Sequence, residues 1–430
     1  MPLNNKYSLN QVSHFKTTYQ GKFFQISHGF VHEINRNAIL KVTNQTPSYI
    51  ARLKYEHYLL TKLETPGVPK LIGIISDQQN YGLLLEDYGS LTLKDYYKNT
   101  IKLCYRDFID IAIKIVKVIS NIHKQRIFHK AIRPESILMY KNTPYIIDFS
   151  HATDFAKEKS ENATPFNFEE LLPCMSPEQT GRMNRDLDYR TDFYSLGATF
   201  YQILSGRPMF MAIDTLDWIH CHLALTPISL TTINPEIPPM LNEIVMKLVS
   251  KNPEERYQSA NGLLYDLALC QRSPLSTFEL GKQDFSHELQ APKKLYGREL
   301  QVEKLLNAFE DASKGQAVLA LVSGFSGIGK TSVVHEIHKP ITAKRGLFLS
   351  GKCDQLRRNT PYAAILESFE SLIQQLLASP SNELAIWRHK IIEALGSNAQ
   401  YLVNVLPSLS SIIDVPPVLP PDTQYDHRNR

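Results

Sequence analysis

The segment that decides the fold reads HKAIRPESIL over residues 129–138, and IIDFS follows it over residues 146–150. Ala131 and Asp148 lie 17 residues apart, which is short enough for a hairpin that brings both segments to one cleft. Asp148 follows an apolar run and carries a carboxylate of the kind that binds Mg²⁺. Ala131 carries only a methyl group, which cannot accept a proton.

The composition is that of a globular protein with two or three domains: 430 residues, 43% hydrophobic and 21% charged. The net charge of +4 is small and no block of like charges occurs, which argues against a nucleic-acid partner. Five scattered cysteines without a C-x-x-C pair are typical of reduced thiols in a cytoplasmic protein. We expect neither secretion nor a membrane span. The oligomeric state cannot be inferred.

Periodicity divides the first part of the chain into two lobes. Residues 21–42 alternate as antiparallel strands do, residues 48–63 predict an amphipathic helix, and residues 81–85 predict another strand. Helical patterns dominate afterwards, over residues 105–124, 192–205 and 240–250. We therefore expect a small β-rich lobe followed by a larger helical lobe.

A second unit follows a non-periodic stretch that contains Pro274 and Pro292. Residues 317–322 form an apolar run that predicts a buried strand, and residues 415–421 form a proline-rich tail. We predict a first domain over residues 1–275, a linker over 276–294 and a second domain over 295–430.

Four further motifs accompany the opening segment. They are AILKV at 38–42, MSPE at 175–178, DFYSLG at 192–197 and NPEER at 252–256. With them the first domain resembles the Hanks-type serine/threonine protein kinases, whose catalytic motifs are H-R-D-L-x-x-x-N and D-F-G. The resemblance implies an α+β bilobal protein-kinase-like fold with ATP and Mg²⁺ as cofactors.

The resemblance assigns cofactor-binding roles to several positions. Lys41 corresponds to the lysine that contacts the α- and β-phosphates, and Glu56 to its partner on the helix. Glu86 and Tyr88 lie in the hinge whose backbone pairs with adenine. Gly21 is the only glycine that remains of three in the nucleotide-covering loop.

Two departures damage the implied chemistry. Ala131 occupies the position of the catalytic Asp, and Ser136 that of the Asn that binds the second Mg²⁺. Because a positioned base contributes about 10²–10⁴-fold to rate, its loss predicts a very slow enzyme at best. Asp148 keeps its capacity for Mg²⁺, and Arg133 replaces the loop lysine as a charge for the γ-phosphate. Phe24 in a glycine position is expected to crowd the phosphates.

The positions with architectural roles are retained. Glu178 and Arg256 correspond to an ion pair of the helical lobe, and Asp192 corresponds to the residue that anchors the catalytic loop. We predict that Glu178 and Arg256 form a buried or half-buried pair.

The second unit contains GFSGIGKT at 324–331, which fits the phosphate-loop motif G-x-x-x-x-G-K-[ST] at every fixed position. Gly324, Gly327 and Gly329 allow backbone N–H groups to surround the phosphates. Lys330 would reach the β- and γ-phosphates, and Thr331 would hold Mg²⁺. These features predict a partial α/β P-loop NTPase domain.

No acidic residue for ATP hydrolysis closes a second apolar strand of this unit. Asp414 is a faint candidate that we assign to a loop, and we place the acidic strand beyond the end of this chain. Hydrolysis is therefore expected to be near background.

Nearly the whole chain resembles one group, the large cyanobacterial multidomain signalling kinases, in which a kinase domain precedes an AAA-type ATPase. The similarity rests on SPEQTGRMNR at 176–185, YGRE at 296–299 and GKCDQ at 351–355. It implies a signalling protein with protein partners, and the degenerate loop implies a pseudokinase with a scaffolding or regulatory role. Two alternatives remain: an active kinase with an unorthodox loop, and a non-functional truncated gene product.

Overall fold

The structure is a computed structural model, and it describes most of the chain. The described residues are 6–7, 15–20, 24–32, 35–43, 47–76, 81–88, 91–98, 104–154, 170–180, 187–274, 276–285, 297–325, 327–337, 341, 348–351, 362–377, 381–396 and 399–413. Gly21, Asp414 and the proline-rich tail lie outside them.

The first lobe is a twisted sheet covered by one helix. Its elements are β1 (Lys6–Tyr7), β2 (Lys16–Gln20), β3 (Gln25–Val31), β4 (Arg36–Thr43), α1 (Pro47–Lys62), β5 (Leu71–Ser76) and β6 (Tyr81–Glu86). The strand order is β1-β5-β6-β4-β3-β2, and every pair is antiparallel except β1 with β5. The strands and the helix predicted for this lobe are therefore present.

Strand β4 shows how the sequence positions a cleft side chain. Successive side chains of a strand point to opposite faces of the sheet. Ala38 and Leu40 join a small apolar cluster on one face, whereas Ile39 joins the main core on the other. Lys41 lies two residues beyond Ile39 and so points to the same face, toward α1.

The second lobe is mainly helical. Its helices are α2 (Leu93–Lys98), α3 (Tyr105–Lys124), α4 (Arg190–Ser205), α5 (Thr215–Ala224), α6 (Leu230–Ile233), α7 (Pro239–Leu248) and α8 (Ala260–Arg272). Its short strands are β7 (Leu91–Thr92), β8 (Ile127–Phe128), β9 (Ile137–Tyr140), β10 (Thr143–Ile146) and β11 (Thr153–Asp154). Hairpin β9–β10 joins the two catalytic segments, as their spacing predicts.

Helix α4 crosses α7 at a glycine. A Cβ added to Gly197 would lie 2.6 Å from Leu248 Cβ, so a larger residue would push the helices apart. This close approach explains why the motif ends in glycine. Asp192 lies in the first turn of the same helix and is fully buried.

The segment after α8 differs from the linker that the sequence predicts. Phe278 and Leu280 pack against the main core, and Asp284 accepts hydrogen bonds from Gln258 N at 2.7 Å and Ser259 Oγ at 2.8 Å. Residues 276–285 therefore pack against the helical lobe. Proline and polar composition suggested a linker, but apolar side chains and hydrogen bonds dock the segment, among them the one from Gly281 N to Asp266 at 2.8 Å.

The second unit contains the helices α9 (Glu299–Ser313), α10 (Lys330–His335), α11 (Ala363–Leu377), α12 (Ser381–Leu395) and α13 (Ala399–Val405). Its last three helices share a separate apolar core with the 3-10 helix Pro407–Ser411. No helix in the described part of the chain is both long and apolar enough to cross a bilayer.

The prediction of a strand over residues 317–322 was wrong. These residues adopt no regular structure, and Leu319 and Leu321 are 84% and 85% exposed. A strand exists only through hydrogen bonds to a neighbouring strand, and the described residues of this unit contain no other strand. Among the described residues, no sheet therefore covers the apolar run.

Candidate functional site

A buried lysine joins the two lobes at the cleft. Lys41 Nζ donates to Glu56 Oε2 on α1 at 2.8 Å and to Asp148 Oδ1 at 2.8 Å. Glu56 Oε1 also accepts the backbone N–H of Phe149 at 3.0 Å. Three residues that the sequence assigns to cofactor binding thus meet in one hydrogen-bonded group, which fastens α1 to the turn after Asp148.

The charged forms of these three residues are stabilised to different degrees. Burial opposes the charge on Lys41, but Asp148 and Glu56 outweigh it and raise the pKa of Lys41 above its ordinary value. Burial also opposes the charge on Asp148, yet Lys41 and Arg133 hold the pKa of Asp148 well below its usual range. The pKa of Glu56 is raised, chiefly by burial. Asp148 is therefore the more strongly stabilised of the two negative charges.

The backbone at Asp148 is left-handed, with φ of 67°, a conformation that costs energy for a residue other than glycine. The hydroxyl of Ser150, which occupies the glycine position of the motif, donates to Asp148 Oδ1 at 2.8 Å. Arg133 Nη2 lies 3.6 Å from Asp148 Oδ2. Donors and cations therefore approach both oxygens of this carboxylate.

The catalytic segment is anchored through Asp192. This buried carboxylate accepts the backbone N–H of His129 at 2.8 Å, that of Lys130 at 2.7 Å, and His123 Nε2 at 2.8 Å. Burial opposes its charge, but these donors, His123 first, lower the pKa of Asp192. Ala131 follows directly and is buried, so the loop is held in place around a residue without a proton acceptor.

The hydroxyl of Ser136 is bonded within its own loop. Ser136 Oγ donates to the carbonyl oxygen of Arg133 at 3.0 Å and accepts the backbone N–H of Arg133 at 2.9 Å. These bonds close the 3-10 turn Pro134–Ser136, and Ser136 is 1% exposed. Its hydroxyl therefore stabilises the loop, at a position where the resemblance predicts a metal ligand.

An aromatic ring lies beside the lysine. The Phe24 ring centroid is 4.7 Å from Lys41 Nζ, and the ring makes an edge-to-face contact with Tyr49 of α1. Phe24, which is expected to crowd the phosphates, thus lies next to the Lys41 ammonium group. Gly21, in the same loop, is not among the described residues.

The hinge residues brace the connection between the lobes. Glu86 accepts Arg36 Nη1 at 2.9 Å and the Tyr88 hydroxyl at 2.9 Å. The Tyr88 ring stacks on Tyr145 of β10 with 4.2 Å between centroids. The side chains of Glu86 and Tyr88 are therefore engaged with protein, and the backbone N–H groups of Glu86 and Asp87 donate to the carbonyls of Lys70 and Asn37.

Arg256 and Glu178 form a buried ion pair in the helical lobe. Arg256 Nη1 donates to Glu178 Oε1 at 2.7 Å and Nη2 to Oε2 at 2.8 Å, with side-chain exposures of 0% and 2%. The Thr191 hydroxyl also donates to Glu178, and the carbonyls of Ser250 and Lys251 accept from Arg256. Despite burial, Arg256 lowers the pKa of Glu178.

The kinase-like cleft fits Mg²⁺ poorly. Ala131 offers no ligand, the Ser136 hydroxyl is bonded within its loop, and Asp148 already faces Lys41 and Arg133. In the described part of the chain, no cluster of three His, Cys, Asp or Glu side chains could hold a metal ion. Of these three positions only Asp148 offers a carboxylate, and cations already approach both of its oxygens.

The phosphate loop of the second unit has the backbone that its glycines allow. Gly327 and Gly329 have φ of 80° and 92°, values that side chains with a Cβ rarely adopt. Such conformations turn successive N–H groups toward one concavity that can hold an anion. Gly329 directly precedes α10, which begins at Lys330.

Lys330 folds back over this loop. Its Nζ donates to the carbonyls of Gly324 and Phe325, at 2.8 Å each. Thr331 follows in the first turn of α10 and is exposed. The five residues assigned from the sequence thus lie together, and they fit a magnesium nucleotide: the loop N–H groups and Lys330 would hold phosphate oxygens, and the Thr331 hydroxyl would hold the metal.

Comparison with known proteins agrees with this division. A family model for the protein kinase domain matches residues 20–266, more than half of the chain, and includes Lys41, both catalytic segments and the Glu178–Arg256 pair. The chain belongs to the protein kinase family. A second model, for the AAA ATPase domain, matches residues 294–425 and includes the phosphate loop. The predicted kinase–ATPase fusion and its fold class are confirmed.

Several curated proteins are similar to this chain. Hybrid signal transduction histidine kinase G of Dictyostelium discoideum is 33% identical over 264 residues, which cover 56% of this chain and 8% of that protein. A probable serine/threonine-protein kinase of Clostridium perfringens is 28% identical over 281 residues, covering 63% and 39%. Serine/threonine-protein kinase PknB of Mycolicibacterium smegmatis is 24% identical over 277 residues, covering 62% and 43%. The chain thus spans less than half the length of each.

Two cleft contacts were missed by sequence reasoning. Glu170 Oε2 lies 3.1 Å from Arg133 Nη2, and Tyr145 stacks on the hinge residue Tyr88. Each contact joins residues more than 35 positions apart in the chain. No local pattern marks either residue, so only the tertiary structure reveals them.

Proposed function

We propose that the first domain is a pseudokinase that binds an adenine nucleotide and acts in signalling through contact with a protein partner. Its family membership and the kinase–ATPase fusion support a signalling role. The observation that carries the loss of phosphotransfer is Ala131: a buried methyl group occupies the base position of an otherwise firmly anchored loop. The absent base leaves the substrate hydroxyl without a proton acceptor.

A cytoplasmic location belongs to the same proposal. Cys174, Cys221 and Cys270 are buried and unpaired, and Cys104 is exposed and unpaired. Free thiols in this number are typical of a reducing compartment.

One observation favours a second candidate, an active kinase with an unorthodox loop. The Lys41–Glu56 pair is formed and the Phe149 N–H is bonded to Glu56, an arrangement that phosphoryl transfer requires of this family. Because phosphoryl transfer depends mainly on positioning and charge, Arg133 and Asp148 supply part of what it needs.

A phosphotransfer assay distinguishes the two candidates. The full chain is incubated with radiolabelled ATP and either Mg²⁺ or Mn²⁺, beside the Asp148→Ala variant, and nucleotide-dependent thermal shift is followed in parallel. We expect a thermal shift and no label above the variant. Robust label transfer that disappears in Asp148→Ala would establish the active kinase instead.

For the second unit we propose binding of ATP or ADP with Mg²⁺ at the phosphate loop, with hydrolysis near background. The positive φ of Gly327 and Gly329 and the position of Lys330 support binding. Brisk ATP hydrolysis by the chain that is lost in Lys330→Ala would contradict the proposal, because it would require a carboxylate such as Asp414 to polarise water.

A further inference from the structure

The cleft of the kinase domain contains two cations on one carboxylate. Lys41 Nζ is 2.8 Å from Asp148 Oδ1, and Arg133 Nη2 is 3.6 Å from Oδ2. The Asp148 side chain is 23% exposed, so this charge cluster opens to the cleft. Neighbouring cations repel each other unless anions lie between them, and here a protein carboxylate takes that place.

Arg133 is incompletely satisfied. Its 3.6 Å contact with Asp148 is an ion pair that exceeds hydrogen-bonding distance, and its Nη2 also lies 3.1 Å from Glu170. Its Nε is buried and has no hydrogen-bond partner among the described residues. A buried donor without an acceptor costs free energy. An anion bound against this guanidinium would supply the acceptor that Nε lacks.

We infer that this cleft binds the phosphates of a nucleotide without a metal ion, with Lys41 and Arg133 carrying the positive charge that Mg²⁺ supplies elsewhere. The inference rests on the proposed nucleotide binding by the first domain. It follows from the poor fit to Mg²⁺: Ala131 and Ser136 remove the ligands that would accompany Asp148. A guanidinium suits this task because it stays charged and presents donors in a planar fork that matches phosphate oxygens.

This arrangement reverses the role of Asp148. In a metal-dependent site the carboxylate holds the metal, and its loss weakens nucleotide binding. In a metal-free site the carboxylate repels the phosphates and competes with them for Lys41 and Arg133. Asp148→Asn keeps the shape of the side chain and removes the charge, so its effect has opposite signs in the two cases.

The experiment is an isothermal titration of ADP into the full chain carrying Lys330→Ala, which silences the phosphate loop of the second unit. Titrations are made in excess EDTA and in excess Mg²⁺. We expect ADP to bind in EDTA at least as tightly as in Mg²⁺, since Mg²⁺ masks the phosphate charge that Lys41 and Arg133 would neutralise. A parallel titration with Lys330 intact should add a site that requires Mg²⁺.

Three variants in the Lys330→Ala chain sharpen the result in EDTA. Arg133→Met should weaken the binding of ATP, titrated in place of ADP, about tenfold or more, because a charged hydrogen bond to the γ-phosphate is lost. Asp148→Asn should tighten ADP binding about fivefold, because a repelling charge within a few ångströms is removed. Arg272→Met, at an exposed arginine at the end of α8, should leave the affinity unchanged.

The outcomes separate this inference from the proposed function. ADP binding that appears only with Mg²⁺ and is lost in Asp148→Asn would overturn the metal-free site and leave nucleotide binding by the first domain intact. Absence of binding in both conditions would overturn both. Binding in EDTA that Arg133→Met does not weaken would overturn the role of Arg133.

Discussion

Buried charges are completely paired in the helical lobe but incompletely paired in the cleft of the same domain. In the helical lobe Glu178 and Arg256 match one to one, with two hydrogen bonds of 2.7 and 2.8 Å, and carbonyls accept the remaining donors. In the cleft Asp148 is shared between Lys41 and Arg133, and Arg133 keeps an unsatisfied donor. Completely paired charges hold a fold, whereas incompletely paired charges are free to exchange a partner for a ligand.

The charges that stabilise the kinase fold and the residues of its catalytic site are therefore different sets. The residues that pair helices and anchor loops are present with their full sets of partners, and the base position is an alanine. The domain can therefore keep the shape of a kinase.

The largest effect is expected for Arg256→Met. Removal of the guanidinium leaves the Glu178 carboxylate buried and unpaired, which should lower the free energy of unfolding by about 3–5 kcal/mol. Urea denaturation of the full chain would be followed by the fluorescence of Trp218 in a Trp387→Phe background, so that the signal reports the first domain alone. The exposed Arg272→Met is the matched control. A loss below about 1 kcal/mol would contradict the importance of this pair.

A smaller loss is expected for Asp192→Asn. The amide retains one acceptor oxygen for three donors and removes the charge that strengthens them, so the domain should lose about 2 kcal/mol. The same Trp218 signal measures it, and Asp107→Asn on the exposed face of α3 serves as control. Unchanged stability would mean that the catalytic loop is held by its packing and not by Asp192.

The helical lobe should also lose stability as the pH falls, through His222. Burial, reinforced by Lys251, lowers its pKa to about 3, and it is neutral: Nε2 donates to the Leu172 carbonyl and Nδ1 accepts the Tyr194 hydroxyl. Below about pH 6.5 the unfolded chain binds a proton that the folded chain does not, which should cost about 2 kcal/mol between pH 7 and pH 5.

The variant His222→Gln tests this pH dependence. Glutamine offers a donor and an acceptor without a titrating ring, so its unfolding free energy should fall less steeply over the same range. Other histidines, including His151, are present in both proteins and cancel in the comparison. Equal slopes for the two proteins would show that His222 does not titrate as proposed.

The smallest effect on stability is expected for Lys330→Ala. The lysine is hydrogen-bonded only to carbonyls of its own exposed loop among the described residues, so the free energy of unfolding should change by about 0.5 kcal/mol or less. Nucleotide binding by the second unit should nevertheless disappear, while binding by the first domain remains. Titration of magnesium ADP would show one site lost. Loss of both sites would mean that the two units bind nucleotide together.

Motifs that are continuous in the sequence predicted their local structure well. The helix expected over residues 105–124 is α3 with the same bounds, and the hairpin between the catalytic segments is β9–β10. The prediction of a strand over residues 317–322 failed because a strand needs a neighbouring strand, which a local pattern cannot supply. Residues 276–285, whose composition suggests a linker, place two apolar side chains against the core of the helical lobe, a contact that no local pattern marks.

The sequence by itself determined the kinase family, the order of the two domains and the missing base at Ala131, because each depends on residue identity at fixed spacing. Only the tertiary structure decided that Ser136 bonds within its own loop, that Phe24 lies beside Lys41, and that Asp148 is shared between Lys41 and Arg133. Hydrogen bonds and ion pairs depend on distances of a few ångströms between residues far apart in the chain. Those distances are set by the packing of the whole domain, and they decide which charges remain available to a ligand.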